Sequence, residues 1–262
     1  MLGAIYGDVV GSVYEFHNIK QKNFPWLGPY NCPTDDSNMT LAVARGILLA
    51  DGDWSRLPEC TVASMKLLYA SHPHGYGGSF IRWLQMPEPR PYGSWGNGAG
   101  MRVSPCAWAA SSLEEALMLS DAVTAVSHDH PEGLKGARAV TAAIWLARHG
   151  AGIPEIRRHI EENYYPLDFT LDGIRASYRF DVSCQGSVPQ AIEAFLESVD
   201  FEDAIRNAVS IGGDSDTIAA MAGSIAQACY GISDAQRQQL LPYLDRQQTQ
   251  ILSDFEAKYG TR

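Results

Sequence analysis

The stretch SIGGDSDTIAAMAGSIAQACYG (residues 210–231) sets two aspartates and a threonine beside a double glycine, at the head of a run of small apolar residues. From Thr217 to Tyr230 the run reads as a helix buried in the core. Asp214, Asp216 and Thr217 therefore stand at the mouth of a buried helix. Buried carboxylates are costly unless something compensates them. The candidates are an arginine, a hydrogen-bond network and a cation, and the rest of the chain must supply one of them.

Helical periodicity dominates outward from this stretch. In SNMTLAVARGILLA (37–50), Met39, Val43 and Ile47 fall four apart, and PTDDS places carboxylates at the positive end of that helix. Further helices are expected over 113–126, 133–149, 154–163, 188–199, 201–209 and 234–244. MLGAIYGDVVGSVYE (1–15) reads as a small-residue helix with Ala4, Asp8, Gly11 and Glu15 on one face. Segments 17–36, 71–105 and 164–187 are rich in Gly, Pro, Tyr and Ser and read as loops, long enough to suggest function. Strand signals are weak. The expectation is a single all-α domain over residues 1–262, with no linker and no repeat.

The composition narrows the function. The chain has 262 residues, is 45% hydrophobic and carries a formal net charge of −10. The acidic balance, with no dense Lys/Arg cluster, argues against general nucleic-acid binding. Five scattered cysteines without a Cys-x-x-Cys pair argue against a disulfide framework or thiolate zinc site and favour a reducing, cytoplasmic setting. Asp8 interrupts the apolar N-terminal stretch and no basic region precedes it, so it does not read as a signal peptide. No run is long enough to span a membrane.

TDDS (34–37) and DSDT (214–217) are alike: each pairs two carboxylates with a hydroxyl at a helix N-terminus. Either alone reads as a capping motif. Two of them, both opening small-residue helices, are better explained by one shared site for hard cations, which prefer oxygen ligands. Four aspartates suit two cations about 3.5–4 Å apart. DSDT also fits the nucleophile loop of aspartyl-phosphate phosphatases. That loop ends an apolar strand, whereas Gly212 and Gly213 precede Asp214 here and the flanks are helical. SWGNGAGMRVSP (94–105) is a glycine-rich turn ending in Arg102. It is either an ordinary flexible loop or a backbone cradle for an anion, with Gly98 the position where a positive φ or an open backbone is expected. VSHDHP (126–131) offers His128 and His130, surface residues or substrate contacts. Glu15 reads first as a solvated helix-end glutamate.

Six pieces, in order, resemble the ADP-ribosylglycohydrolase family, which includes dinitrogenase-reductase-activating glycohydrolase. They are GAIYGDVVGSVYEF, TDDSNMTLAVARGIL, GNGAGMRVSP, SHDHPEGLKGA, CQGSVPQAIEAFLES and AVSIGGDSDTIAAMAGSIAQACYG, reaching from residue 3 to 231. The resemblance implies an all-α orthogonal helical bundle with a binuclear Mg²⁺ or Mn²⁺ centre at the base of an ADP-ribose cleft. It implies Thr34, Asp35 and Asp36 as metal ligands on one side and Asp214, Asp216 and Thr217 on the other, with Asp216 bridging. It implies a diphosphate loop at Gly96, Asn97, Gly98, Ala99, Gly100, Met101 and Arg102, with His128 near the ribose and diphosphate. Glu15 approaches the second metal or the substrate, and Glu15 or Asp36 serves as the base. Ser37 and Ser215 stand where the family commonly has Thr, each keeping a hydroxyl. The chain is shorter than many members, and the shortfall is expected in loops on the leaving-group side. The implied activity is hydrolysis of ADP-ribose from a protein side chain or other acceptor by a monomer. The alternative from another class is a non-catalytic ADP-ribose binder that kept the fold.

Overall fold

The computed structural model, which describes residues 1–260, contains fourteen α-helices and, among those residues, no strand. The helices are α1 (Leu2–Gly11), α2 (Asp35–Ala50), α3 (Leu57–Ser71), α4 (Gly78–Gln85), α5 (Ser104–Ala109), α6 (Leu113–Thr124), α7 (Pro131–Arg148), α8 (Ile153–Asn163), α9 (Leu171–Arg175), α10 (Cys184–Leu196), α11 (Phe201–Ser210), α12 (Ser215–Tyr230), α13 (Asp234–Leu240) and α14 (Arg246–Tyr259). A single β-bridge joins Gly96 to Ser183. No described helix is long and apolar enough to cross a membrane. All five cysteines are free.

The centre of the bundle is an antiparallel pair from opposite ends of the chain. All ten residues of α1 are buried, and α12 is buried from Ser215 to Gln227. The pair meets main chain to main chain because Gly3, Gly7 and Gly11 recur every fourth residue on one face of α1. A Cβ on Gly3 would overlap the Gly223 carbonyl, and one on Gly7 the Ala219 carbonyl. A Cβ on Gly11 would stand 2.7 Å from the Asp216 amide nitrogen. This contact carries Asp8 to the mouth of α12. Helices α7, α10 and α11 also pack against α12, and α2 packs on α3 and α14.

Local chemistry sets the two helix mouths. Thr34 caps α2, its hydroxyl accepting from the Asp36 amide at 3.2 Å. Gly212 and Gly213 have φ of 67° and 78°, so the turn into α12 needs glycine at both positions. Asp214 occupies the N-cap position of α12 but makes no capping bond, which leaves its carboxylate free to act elsewhere.

Several sequence expectations change. The first helix ends at Gly11, so Glu15 sits beyond it in a turn and not on the face of Ala4 and Asp8. Segment 71–105 is not one loop: it holds α4 and the start of α5. Segment 164–187 holds α9 and the first turn of α10. The flanking glycines and prolines hide α4, yet Phe80, Trp83 and Leu84 give it a buried face. Helices α3 and α14 were not anticipated either. The buried face of α3 mixes Cys60, Thr61 and Ser64 with its apolar residues, and α14 buries only Ile251, Leu252 and Phe255 among its apolar residues.

Candidate active site

The mouths of α2 and α12 open into a cleft of about 490 Å³. Asp35, Asp36, Asp214, Asp216, Thr217 and Glu15 line one part of it, and the glycine turn at 96–98 with His128 lines another. The two acidic clusters do meet. Thr217 donates its hydroxyl to Asp36 Oδ2 at 3.2 Å, across 181 residues of sequence.

Oxygens of Asp8, Asp36 and Asp216 lie within 4.8 Å of one another, and so do those of Glu15, Asp214 and Asp216. Asp216 belongs to both triplets. Burial, then the neighbouring carboxylate charges, raise Asp36 and Asp216 well above the ordinary carboxylate range. Asp35 is raised for the same reasons. Burial raises the Asp214 carboxyl too, although Asn97 Nδ2 donates to it at 2.7 Å. Asp36 Oδ1 is buried without any hydrogen-bond partner. An orphaned carboxylate oxygen inside a set of converging acid groups makes a donor set that fits a hard cation. Among the described residues no arginine or lysine forms an ion pair with any of these carboxylates.

In the sequence Asp8 reads as a polar interruption on a helix face shared with Glu15, but not as a candidate site residue. Its carboxylate accepts from the Thr34 amide at 2.9 Å, the Thr34 hydroxyl at 2.7 Å, the Ser37 amide at 3.0 Å and the Ser37 hydroxyl. It therefore caps α2 from another helix, and burial still pushes its carboxyl up to about 6. The signal was available: an aspartate inside an otherwise apolar, glycine-spaced helix. Thr34 does not line the cleft, and Asp8 and the Asp36 amide engage its hydroxyl. Glu15 is half-buried at the wall, pushed up to about 7 by burial and then by Asp214 and Asp8.

The glycine turn is more closed than a fully open cradle. Residues 97–99 form a 3₁₀ turn, and Gly98 is not among the residues with positive φ. Its need for glycine is one of space, since a Cβ there would stand 3.3 Å from His128 Nε2. The amides of Asn97, Ala99, Gly100 and Met101 are spent on Val182, Gly96, Asn97 and Asn97 carbonyls, and that of Gly96 on Ser94 Oγ. Between Gly96 and Met101, the Gly98 amide is the one that makes no such bond. Gly96, Asn97, Gly98, Met101 and Arg102 reach the cleft wall, whereas Ala99 and Gly100 do not, Gly100 packing against Met221. The guanidinium of Arg102 is fully buried and lies 5.6 Å from the centre of the Phe80 ring, so it is set into the wall and not offered at the mouth. Phe16, Phe180, Tyr92 and the Gly75–Phe80 segment complete the cleft, none of them singled out by motif.

The family model of the ADP-ribosylglycohydrolases matches residues 1–259. The chain is 26% identical to ADP-ribosylhydrolase ARH3 of Mus musculus, over 88% of this chain and 83% of the relative. It is 28% identical to ADP-ribosyl-[dinitrogen reductase] glycohydrolase of Rhodospirillum rubrum, over 89% and 85%. A solved "ADP-ribosylglycohydrolase-related protein complex" chain shares the fold, with a TM-score of 0.72 at 22% identity, covering 100% of this chain and 97% of that one. Fold, cleft and relatives together define a hydrolase acting on glycosyl bonds. Within that class, the chain belongs to the ADP-ribosylglycohydrolase family.

Proposed function

We propose that the chain removes ADP-ribose from a protein side chain or other acceptor by hydrolysing the bond at C1″ of the terminal ribose, with two Mg²⁺ or Mn²⁺ ions. The observation that carries the metal-dependent reading is Asp216, whose carboxylate belongs to two separate triplets of acid oxygens and so suits a bridge. Asp36 with Asp8 behind it forms one side, and Asp214 with Glu15 forms the other; Asp35 and Thr217 complete the set of oxygen donors at the cleft. Cations bound there would orient the ribose hydroxyls and a water and polarise them.

The chain's own groups supply the rest. Breaking a bond at an anomeric carbon passes through an oxocarbenium-like state and needs a base for the attacking water. Glu15 is the better base of the two carboxylates considered. It lines the cleft and is half-open to it, within reach of a water in the cleft. Asp36 is nearly fully buried and already accepts from Thr217, which suits a ligand. The Gly98 amide and His128 would hold the diphosphate at the other part of the cleft. Binding energy there fixes the ribose for reaction.

The test is a panel of ADP-ribosylated substrates with arginine, serine, base and ester linkages. Free ADP-ribose should appear from at least one with Mg²⁺, vanish with EDTA and return with Mg²⁺ or Mn²⁺. Tight ADP-ribose binding without release from any linkage would instead make the chain a non-catalytic binder.

A further inference from the structure

His128 follows α6 and is 5% exposed, with its Nδ1 edge turned inward. Two groups meet that edge: Ser127 Oγ at 2.8 Å and Arg102 Nη2 at 3.4 Å. Arg102 Nη2 in turn lies 2.8 Å from Ser127 Oγ and reaches the Val123 and Thr124 carbonyls at the end of α6. A guanidinium has only N–H donors, so Ser127 Oγ must accept from it. Among the described residues Ser127 Oγ has no other partner for its own proton than His128 Nδ1, and Nδ1 also faces Arg102 Nη2, which can only donate; both neighbours are satisfied when Nδ1 accepts. A neutral imidazole that accepts at Nδ1 carries its proton on Nε2.

The ring stays neutral. Arg102 is buried and makes no ion pair, and it faces the ring across Ser127. The other titratable group packed on the ring is Tyr92, at 5.8 Å between centroids, and Phe80 of α4 supplies a further wall at 6.0 Å. Burial first, and then the Arg102 charge, hold His128 well below its ordinary value. The opposite edge, Nε2, looks onto the glycine turn, 3.3 Å and 3.6 Å from where a Cβ on Gly98 or Gly96 would stand. Gly96, Gly98 and His128 all line the cleft.

We propose that Ser127 and Arg102 are positioning residues that lock His128 as the neutral Nε2–H tautomer, making that N–H a fixed donor to an anionic phosphate oxygen of the ligand. The lock stands on the hydrogen-bond chain alone; its use rests on the ADP-ribosyl reading above. A neutral donor gives up the attraction of an imidazolium. It gains a hydrogen bond that does not change as an exposed histidine would charge, between about pH 5 and 8.

The experiment is a long-range ¹H–¹⁵N spectrum of the ligand-free protein with ¹⁵N-labelled histidine, assigned by the loss of one ring in His128→Gln. The expected result is an unprotonated Nδ1 and a protonated Nε2 for His128, both unmoved between about pH 5.5 and 8. Ser127→Ala should mix the tautomers and weaken ADP-ribose binding about tenfold, the effect of one hydrogen bond to a charged group; Ser127→Thr should restore both. A wild-type His128 protonated on Nδ1, or one that titrates near its ordinary value, overturns the lock. Unchanged ADP-ribose affinity in Ser127→Ala with mixed tautomers overturns its use. A locked spectrum in a protein that binds no ADP-ribose overturns the ADP-ribosyl reading and leaves the lock standing.

Discussion

Replacing Asp216 by Asn removes one negative charge from the point where both acid triplets overlap. Without metal, that relieves repulsion among buried carboxylates. The metal-free melting temperature should rise by roughly 2–4 °C, the shift that about 1 kcal/mol produces in a chain of this size. The gain from added Mg²⁺, present in the wild type by mass action, should largely disappear, and hydrolysis with it. A metal-indifferent wild type in the same calorimeter would mean that the cluster is a structural cap. Glu15→Gln asks a different question, because size and burial stay the same. Turnover should fall by about 10²–10⁴ while ADP-ribose affinity hardly moves. Normal turnover would return the role of base to Asp36.

At the scale of elements, the contact between α1 and α12 makes a prediction away from the cleft. Gly7→Ala adds a methyl where the Ala219 carbonyl already sits. Overpacking of that kind should cost about 1–3 kcal/mol in urea unfolding, and by parting Asp8 from Asp216 it should weaken Mg²⁺ binding as well. Gly98→Val should raise the ADP-ribose Kd with helical content unchanged, because its side chain invades the space of His128. Much of this was legible in the sequence. The DSDT and TDDS mouths and the small-residue helices behind them announce themselves, since buried acid at a helix start has few explanations. What escaped was decided by partners far along the chain. Asp8 looks like a blemish until α2 arrives to be capped by it. Arg102 reads as a diphosphate contact until the end of α6 offers it carbonyls and Ser127. Helix α4 is masked by its flanking glycines and prolines, and only Phe80 and Trp83 against the core reveal it.

The whole molecule carries a charge debt in its centre, and pH should expose it. The metal-free folded chain holds Asp8 near 6 and Glu15 near 7, against about 4 in the unfolded chain. Between those values the folded state binds more protons than the unfolded one, so stability falls as pH rises from about 4 to 7. Thermal melts in EDTA should therefore give a lower melting temperature at pH 7 than at pH 5.5, and Mg²⁺ at pH 7 should reverse the loss. A rise over that interval in EDTA would contradict the placement of these carboxylates. The pairing of α1 with α12 has a further consequence, in the order of events during synthesis. The Gly3 amide is tied to Gln227 across 224 residues. At ~5–20 residues per second, a ribosome makes α1 about 10–45 s before its partner exists. During that interval a helix destined for complete burial has nothing to bury against, and is a natural client for a chaperone. The proposed cation site cannot close before α12 emerges, so a nascent chain stalled short of it should retain no Mn²⁺, however much of the remaining bundle has already condensed.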